Sequence, residues 1–412
     1  MARQKRILLV AEPLRLSNAA RLATLGRALH EAGYTVVLAA DPACRKIVGD
    51  LPFRLIPLRP AMAREERKAR WRALLPLFDV AMLEAYVRED IRLMRTVAPD
   101  LVIGDMRPSL PVSARSLGVR FAVIVDATFS AACALPFELP QVPLLRELGR
   151  GPAQTLMDLL VPMGMFVHAL PGNMTRLNHG IAGWHSDVRQ SYTDADLVIY
   201  PNVPEIVPMN EIPPTHRFIG PVLWPSHPHA PLPTWWDGLP PDRRIVWVNL
   251  SSFDEHSAAA AVLDGLEGAG VTIVASTTPD NPVVAGRIGV FAADTIRSSE
   301  MQRRASLVVT NADTTIIQQS LAAGTPVFVV PEPEESVAYA HAIAALGAGD
   351  LLHGSDPSAE AVRGAVLRIL AEPAYAQAAQ GVATMMARYH SGAAMVDFVD
   401  AVFQVAAHEI AA

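Results

Sequence analysis

Three short stretches hold the polar residues best suited to chemistry. "SLVVTNADTTIIQQSLAAGTPVFVV" (306–330) reads as strand, turn, helix, Gly-containing corner and strand. That is the frame of a nucleotide-binding βαβ unit, in which amides at a helix N-terminus meet phosphate oxygens. Its turn reads Asn311-Ala312-Asp313-Thr314-Thr315, where such loops carry glycines for close backbone approach. Asp313 there is either a plain helix N-cap or a carboxylate set beside a phosphate. In "LRLSNAARL", Asn18 stands ahead of a helical run, as a cap or as a hydrogen-bonding group for a ligand. Asp105 closes the apolar run "LVIGD", either capping a turn or orienting a reacting group.

The elements around these residues repeat a pattern. "RILLVAE", "TVVLAAD", "DLVIGD" and "RFAVIVDA" are short apolar runs, as expected of strands buried on both faces. Leu22, Leu25, Leu29 and Ala32 follow the first run at helical spacing, and Gly33 stops that helix. "SLPVSARSLG" is a crossover between two of the strands. After a proline-rich stretch (200–236) the pattern restarts with "RIVWVNLSS", "VTIVAST", "GVFAAD", "LVVTN" and "PVFVV". Alternating strands and helices argue two open parallel sheets in series, with ligands outside the carboxyl ends of the strands. The expected divisions are an N-terminal domain (1–222), a proline-rich linker (223–240), a C-terminal domain (241–390) and a docking helix (391–412). Val396, Val399, Val402 and Phe403 mark the apolar face of that last helix.

Composition narrows the function classes. The chain has 412 residues, 51% of them hydrophobic, with a formal net charge of -6. That leaves ample core material and points away from nucleic acid. Two distant cysteines, Cys44 and Cys133, fit a reducing, cytoplasmic setting and form no metal motif. The N-terminal apolar run is short and reads as a strand, not a leader. "LMDLLVPMGMFVHAL" (156–170) is interrupted by Asp158, Pro162, Gly164 and His168. It reads as a buried or pocket-lining helix, or else as a contact for an apolar acceptor or a membrane surface.

Over nearly its whole length the chain resembles the family-1-type glycosyltransferases of GT-B fold. The resemblance rests on "LSNAARLATLGRALHEAGYTVVLAAD", "APDLVIGDMRPSLPVSARSLGVRFAVI", the linker with "RIVWVNLSS", and the stretch from Ala305 to "EPEESVAYAHAIAALGAG". It implies an α/β protein with two Rossmann-like parallel-sheet domains facing a central cleft. It implies an inverting transfer of sugar from a nucleoside-diphosphate sugar, such as a UDP- or dTDP-sugar, to a hydroxyl of a natural product or lipid-like acceptor. The nucleotide sugar is a co-substrate, so no cofactor and no metal are expected.

The resemblance also assigns residues, with departures. Asn18 occupies the place of the family's histidine base, and Asp105 that of the aspartate that orients it. An amide has no usable pKa near neutrality, so the base must come from elsewhere, such as His168, His179, His185 or Glu138, or be unnecessary. On the donor side the matching positions are Ser251, Ser252, Ile296, Asn311, Thr314, Thr315, Gln319, Glu335 and Ser336. Ser251, Ala312 and Asp313 replace glycines, and Ser336 replaces a glutamine that reads the sugar. The alternative implied by these substitutions is an inactive relative that binds or activates a protein partner.

Overall fold

The computed structural model describes residues 4–135, 150–227, 229–250, 256–331, 337–352 and 357–411. Two compact units divide them. The first takes the described residues of 4–134, 150–222 and 389–411, and the second takes Leu135 and those of 223–388.

The first unit holds seven strands: β1 (Arg6–Ala11), β2 (Thr35–Ala40), β3 (Arg54–Pro57), β4 (Leu101–Asp105), β5 (Phe121–Ile124), β6 (Leu197–Tyr200) and β7 (His216–Phe218). They form one parallel sheet in the order β3-β2-β1-β4-β5-β6-β7. The second unit holds β8 (Ile245–Val248), β9 (Thr272–Ser276), β10 (Val290–Ala293), β11 (Ala305–Thr310), β12 (Val327–Val329) and β13 (Gly349–Leu351). These are also all parallel, in the order β10-β9-β8-β11-β12-β13. Parallel strands joined by helices are covered on both faces, which is why β1, β4 and β8 are apolar and buried along nearly their whole length.

Each order reverses direction once, between β1 and β4 and between β8 and β11. Such a reversal opens a crevice at the carboxyl ends of the two strands, the place where doubly wound sheets bind ligands. The C-terminal helix Ser391–Ala411 returns to the first unit and packs on the first helix, Leu16–Glu31. Met395, Val399 and Val402 on its inner face are buried.

A buried guanidinium organises the carboxyl end of the first sheet. After β4, Met106 takes a left-handed φ of 55°. A residue with a side chain adopts that region at a steric penalty, so the turn is strained. The turn sends Arg107 inward, where its side chain is wholly buried. Arg107 donates to Asp90 Oδ1 from Nε at 3.0 Å and to Glu89 Oε2 from Nη2 at 2.7 Å, and its Nη1 lies 3.6 Å from Glu12 Oε2. Its plane stacks on Tyr86, 3.6 Å from the ring centroid. Asp90 also accepts from Ser109 Oγ at 2.5 Å and Ser113 Oγ at 3.2 Å. One side chain thus ties the end of β1, the helix Val80–Val97 and the helix Leu110–Leu117 to the end of β4.

Removing a buried cation from such a set leaves carboxylates uncompensated in a dry interior. Arg107→Leu is therefore expected to destabilise the protein by about 3–5 kcal/mol, against near zero for the exposed Arg92→Leu. Urea unfolding of the two variants measures the difference.

Candidate active site

In the first unit the reversal point is lined by three polar groups. Asp105 is the last residue of β4, in register with Ala11 at the end of β1. Glu12 follows directly, and its N–H donates to the Asp105 carbonyl at 3.0 Å. Asn18 Nδ2 donates to the Glu12 carbonyl at 3.4 Å. Asn18 is the third residue of the first helix and is buried, and Arg15 stands at the cap. The cap reading of Asn18 is thereby replaced: its amide is turned onto the end of β1.

Asp105 has no exposed surface, and neither carboxyl oxygen accepts a hydrogen bond. Its charge partner is Arg21, one turn beyond Asn18, with Nε 3.4 Å from Oδ2. Burial pushes the Asp105 carboxyl up to about 7, opposed by Arg21 and reinforced by Asp126. The aspartate that resemblance links to residue 18 is thus held against a guanidinium.

Glu12 was not singled out from the sequence, and the structure brings it to the centre. It is 3% exposed. Oε1 accepts from the Tyr86 hydroxyl at 2.8 Å, while Oε2 accepts no hydrogen bond. Burial raises its pKa to about 7, against the lowering pull of Arg107 and Tyr86. A carboxyl titrating near neutrality is chemically equipped to exchange a proton at physiological pH. Its one signal in the sequence is a charged residue straight after five apolar strand positions.

Two of the histidines considered as substitute bases have other partners. His179 Nε2 lies 3.0 Å from Glu84 Oε2. His185 Nδ1 lies 3.0 Å from Ser191 Oγ and its Nε2 lies 3.6 Å from Asp194, which also pairs with Arg115 and Arg176. Burial pushes the His168 imidazole below its ordinary range, with the Leu74 backbone acting against that. Glu138 lies outside the described residues.

In the second unit the reversal point falls after β8 and β11. Asn249 donates its N–H to Val309 there, at 2.9 Å. Ser251, Ser252, Glu335 and Ser336 lie outside the described residues. After β11, Asn311 Oδ1 accepts from the Asp313 N–H at 3.1 Å. Asp313 is the N-cap of the helix Thr314–Ala322, and its Oδ1 accepts from Thr315 N at 2.8 Å and Ile316 N at 3.4 Å. Those are amides that a helix N-terminus would turn toward a phosphate. The protein's own carboxylate holds them instead. Asp313 has an ordinary φ of −65°, so this residue does not need glycine. Arg297 is committed to Ala230 O and Glu300, not to Asp313. Thr314 is half-buried and Thr315 buried at the same turn. Gln319 is buried and donates from Nε2 to the Trp224 carbonyl at 3.2 Å. Ile296 is buried after β10. No cluster of three or more metal-ligating side chains occurs among the described residues.

No family model matches the chain. It is 34% identical over 383 residues to a PGL/p-HBAD biosynthesis glycosyltransferase of Mycobacterium tuberculosis, covering 93% of this chain and 89% of that one. It is 33% identical over 393 residues to a PGL/p-HBAD biosynthesis rhamnosyltransferase of Mycobacterium bovis, covering 95% and 86%. A Mycobacterium bovis protein named an inactive PGL/p-HBAD biosynthesis glycosyltransferase is 36% identical over 266 residues, 65% of this chain and 72% of that one. Among solved structures, the spinosyn forosaminyltransferase SpnP superposes with a TM-score of 0.65 at 21% identity, covering 98% of this chain and 99% of that one. The spinosyn rhamnosyltransferase SpnG in complex with thymidine diphosphate superposes with a TM-score of 0.65 at 18% identity, covering 96% and 100%. With its two parallel α/β units of GT-B fold and its full-length likeness to these relatives, the chain belongs to the family of PGL/p-HBAD biosynthesis glycosyltransferases.

Proposed function

We propose that the chain moves a sugar from a nucleoside-diphosphate sugar to a hydroxyl of a small apolar or lipid-like acceptor, with inversion at the anomeric carbon. The acceptor class follows the biosynthetic role carried in the relatives' names. In this reading Glu12 takes the acceptor's hydroxyl proton as the oxygen attacks. The bond from the anomeric carbon to the diphosphate breaks, and its electron pair leaves on the phosphate oxygen. Asn18 orients the end of β1 through its bond to the Glu12 carbonyl, and the Arg21–Asp105 pair fixes the neighbouring strand end. Ile296, Asn311, Thr314, Thr315 and Gln319, with Ser251, Ser252, Glu335 and Ser336, form the donor side. The nucleotide sugar serves as co-substrate, and no cofactor or metal enters the reading.

One observation carries this reading: a carboxyl poised near pH 7 at the strand ends where doubly wound sheets hold ligands. Asp313 favours a second reading. Its carboxylate occupies the amides a diphosphate would use, as suits an inactive relative that serves a protein partner.

Calorimetric titration with uridine and thymidine diphosphates separates the two. Under the transfer reading the wild-type protein binds one of them. Asp313→Gly, which frees the two amides and removes a like charge, tightens binding by about tenfold. Failure of both proteins to bind any nucleotide supports the inactive reading. With donor and acceptor in hand, kcat/KM rises with pH through about 7, because the base works only after losing its proton. Glu12→Gln lowers kcat by at least ~100-fold and flattens that limb of the profile. A retained limb in the variant assigns the proton transfer elsewhere.

A further inference from the structure

Two opposite charges in the first unit stop short of each other. Glu12 Oε2 and Arg107 Nη1 lie 3.6 Å apart, both buried, and neither atom makes a hydrogen bond. A carboxylate and a guanidinium free to meet close to about 2.8 Å, because a dry interior strengthens the bond and penalises the gap. The other carboxylates around Arg107 do close: Nη2 lies 2.7 Å from Glu89 Oε2 and 2.9 Å from Asp90 Oδ1. Glu12 is therefore held back.

Tyr86 touches both groups. The Arg107 guanidinium stacks on its ring, 3.6 Å from the centroid. Its hydroxyl donates to Glu12 Oε1 at 2.8 Å and accepts from the Ala61 N–H at 3.0 Å. A phenol has one hydrogen, and the Ala61 N–H fills a lone pair, so that hydrogen is directed onto Glu12. The ring itself is fixed. It is buried, packs with Met62 and Leu83, and lies against Phe78 with centroids 5.8 Å apart. The face of the ring thus seats the cation while its hydroxyl tethers the carboxyl.

We infer that Tyr86 is a positioning residue: its ring and hydroxyl together hold the Glu12 carboxyl short of a hydrogen-bonded ion pair with Arg107, which keeps Glu12 able to take a substrate proton. A carboxylate closed onto a guanidinium loses basicity, because the pair stabilises the ionised form. The inference rests on the transfer reading for what Glu12 does. The titration that tests it needs neither donor nor acceptor, so its failure is separate from that of the transfer reading. The other groups acting on Glu12 are Asp90 on the helix of Tyr86, Arg107 in the turn after β4, the Leu14 backbone, and Tyr192 on the helix Val188–Thr193. Tyr86→Phe alters none of them. It removes one oxygen and keeps the ring.

The test is carbon-13 NMR titration of the Glu12 carboxyl in full-length Tyr86→Phe beside the wild type. In the variant the carboxyl closes onto Arg107, and its titration falls from about 7 to 4.5 or below. If Tyr86 were only a hydrogen-bond donor to the carboxylate, its loss would move the titration up instead. A titration unchanged or raised in the variant overturns the proposal. Urea unfolding gives a second measure. A carboxyl whose folded pKa is raised favours the folded state when protonated, so wild-type stability falls as pH rises through about 5 to 8. Tyr86→Phe makes that fall shallower, and an equal or steeper fall contradicts the inference. With donor and acceptor present, the rising limb of kcat/KM moves to lower pH by the same shift. On the plateau kcat drops about tenfold as the base weakens, with KM kept. A reduced kcat with the limb still at about 7 also overturns the proposal.

Discussion

The carboxyl end of the first sheet depends on one buried cation. Arg107 enters the interior because Met106 accepts a left-handed backbone, and it then draws Asp90, Glu89 and Glu12 around it. Three carboxyls share one guanidinium, so they cannot all be satisfied. Asp90 takes the largest share and meets two serine hydroxyls besides. Glu12 is left with a tyrosine hydroxyl and a guanidinium nitrogen at 3.6 Å. Desolvation then outweighs attraction, and the carboxyl holds its proton up to near neutrality. The same network that fastens the strand ends thus holds a carboxyl that exchanges its proton near neutrality.

The two reversal points resolve their polar groups in opposite ways. In the first unit Asp105 has neither oxygen hydrogen-bonded, and Glu12 Oε2 has only the Arg107 guanidinium, at 3.6 Å. In the second unit Asp313 satisfies the amides at the head of its helix from within the chain. A capped helix is worth about 1 kcal/mol relative to an uncapped one, a modest amount beside the charge of a diphosphate. Under the proposed transfer reading the cap is therefore a competitor that a nucleotide must displace.

Much of the fold could be read from the residues. β1, β2, β4 and β5 fall on apolar runs because both their faces are covered, and β8, β9, β11 and β12 do likewise. Asp105 and the Asp313 turn were visible for the same reason: each follows such a run. β3 (RLIP), β7 (HRF) and β13 (GDL) carry charged or polar residues in place of an apolar run, and β7 lies within the proline-rich stretch. Glu12 and Arg107 were not legible as a pair. They are 95 residues apart, and their meeting depends on one backbone torsion at Met106. For the stretch 156–170, read as buried or as a contact surface, the exposure of Leu160, Met163, Phe166 and Val167 favours the contact, while polar residues further along the same helix take the inner face through hydrogen bonds.

The central claim is that burial beside Arg107 holds Glu12 partly protonated at neutral pH. Carbon-13 NMR of side-chain carboxyls, with the Glu12 signal assigned from its loss in Glu12→Gln, measures this directly. The account predicts a carboxyl resonance that titrates at about 7. A Glu12 resonance that titrates near 4.5, the ordinary value for the group, would contradict it.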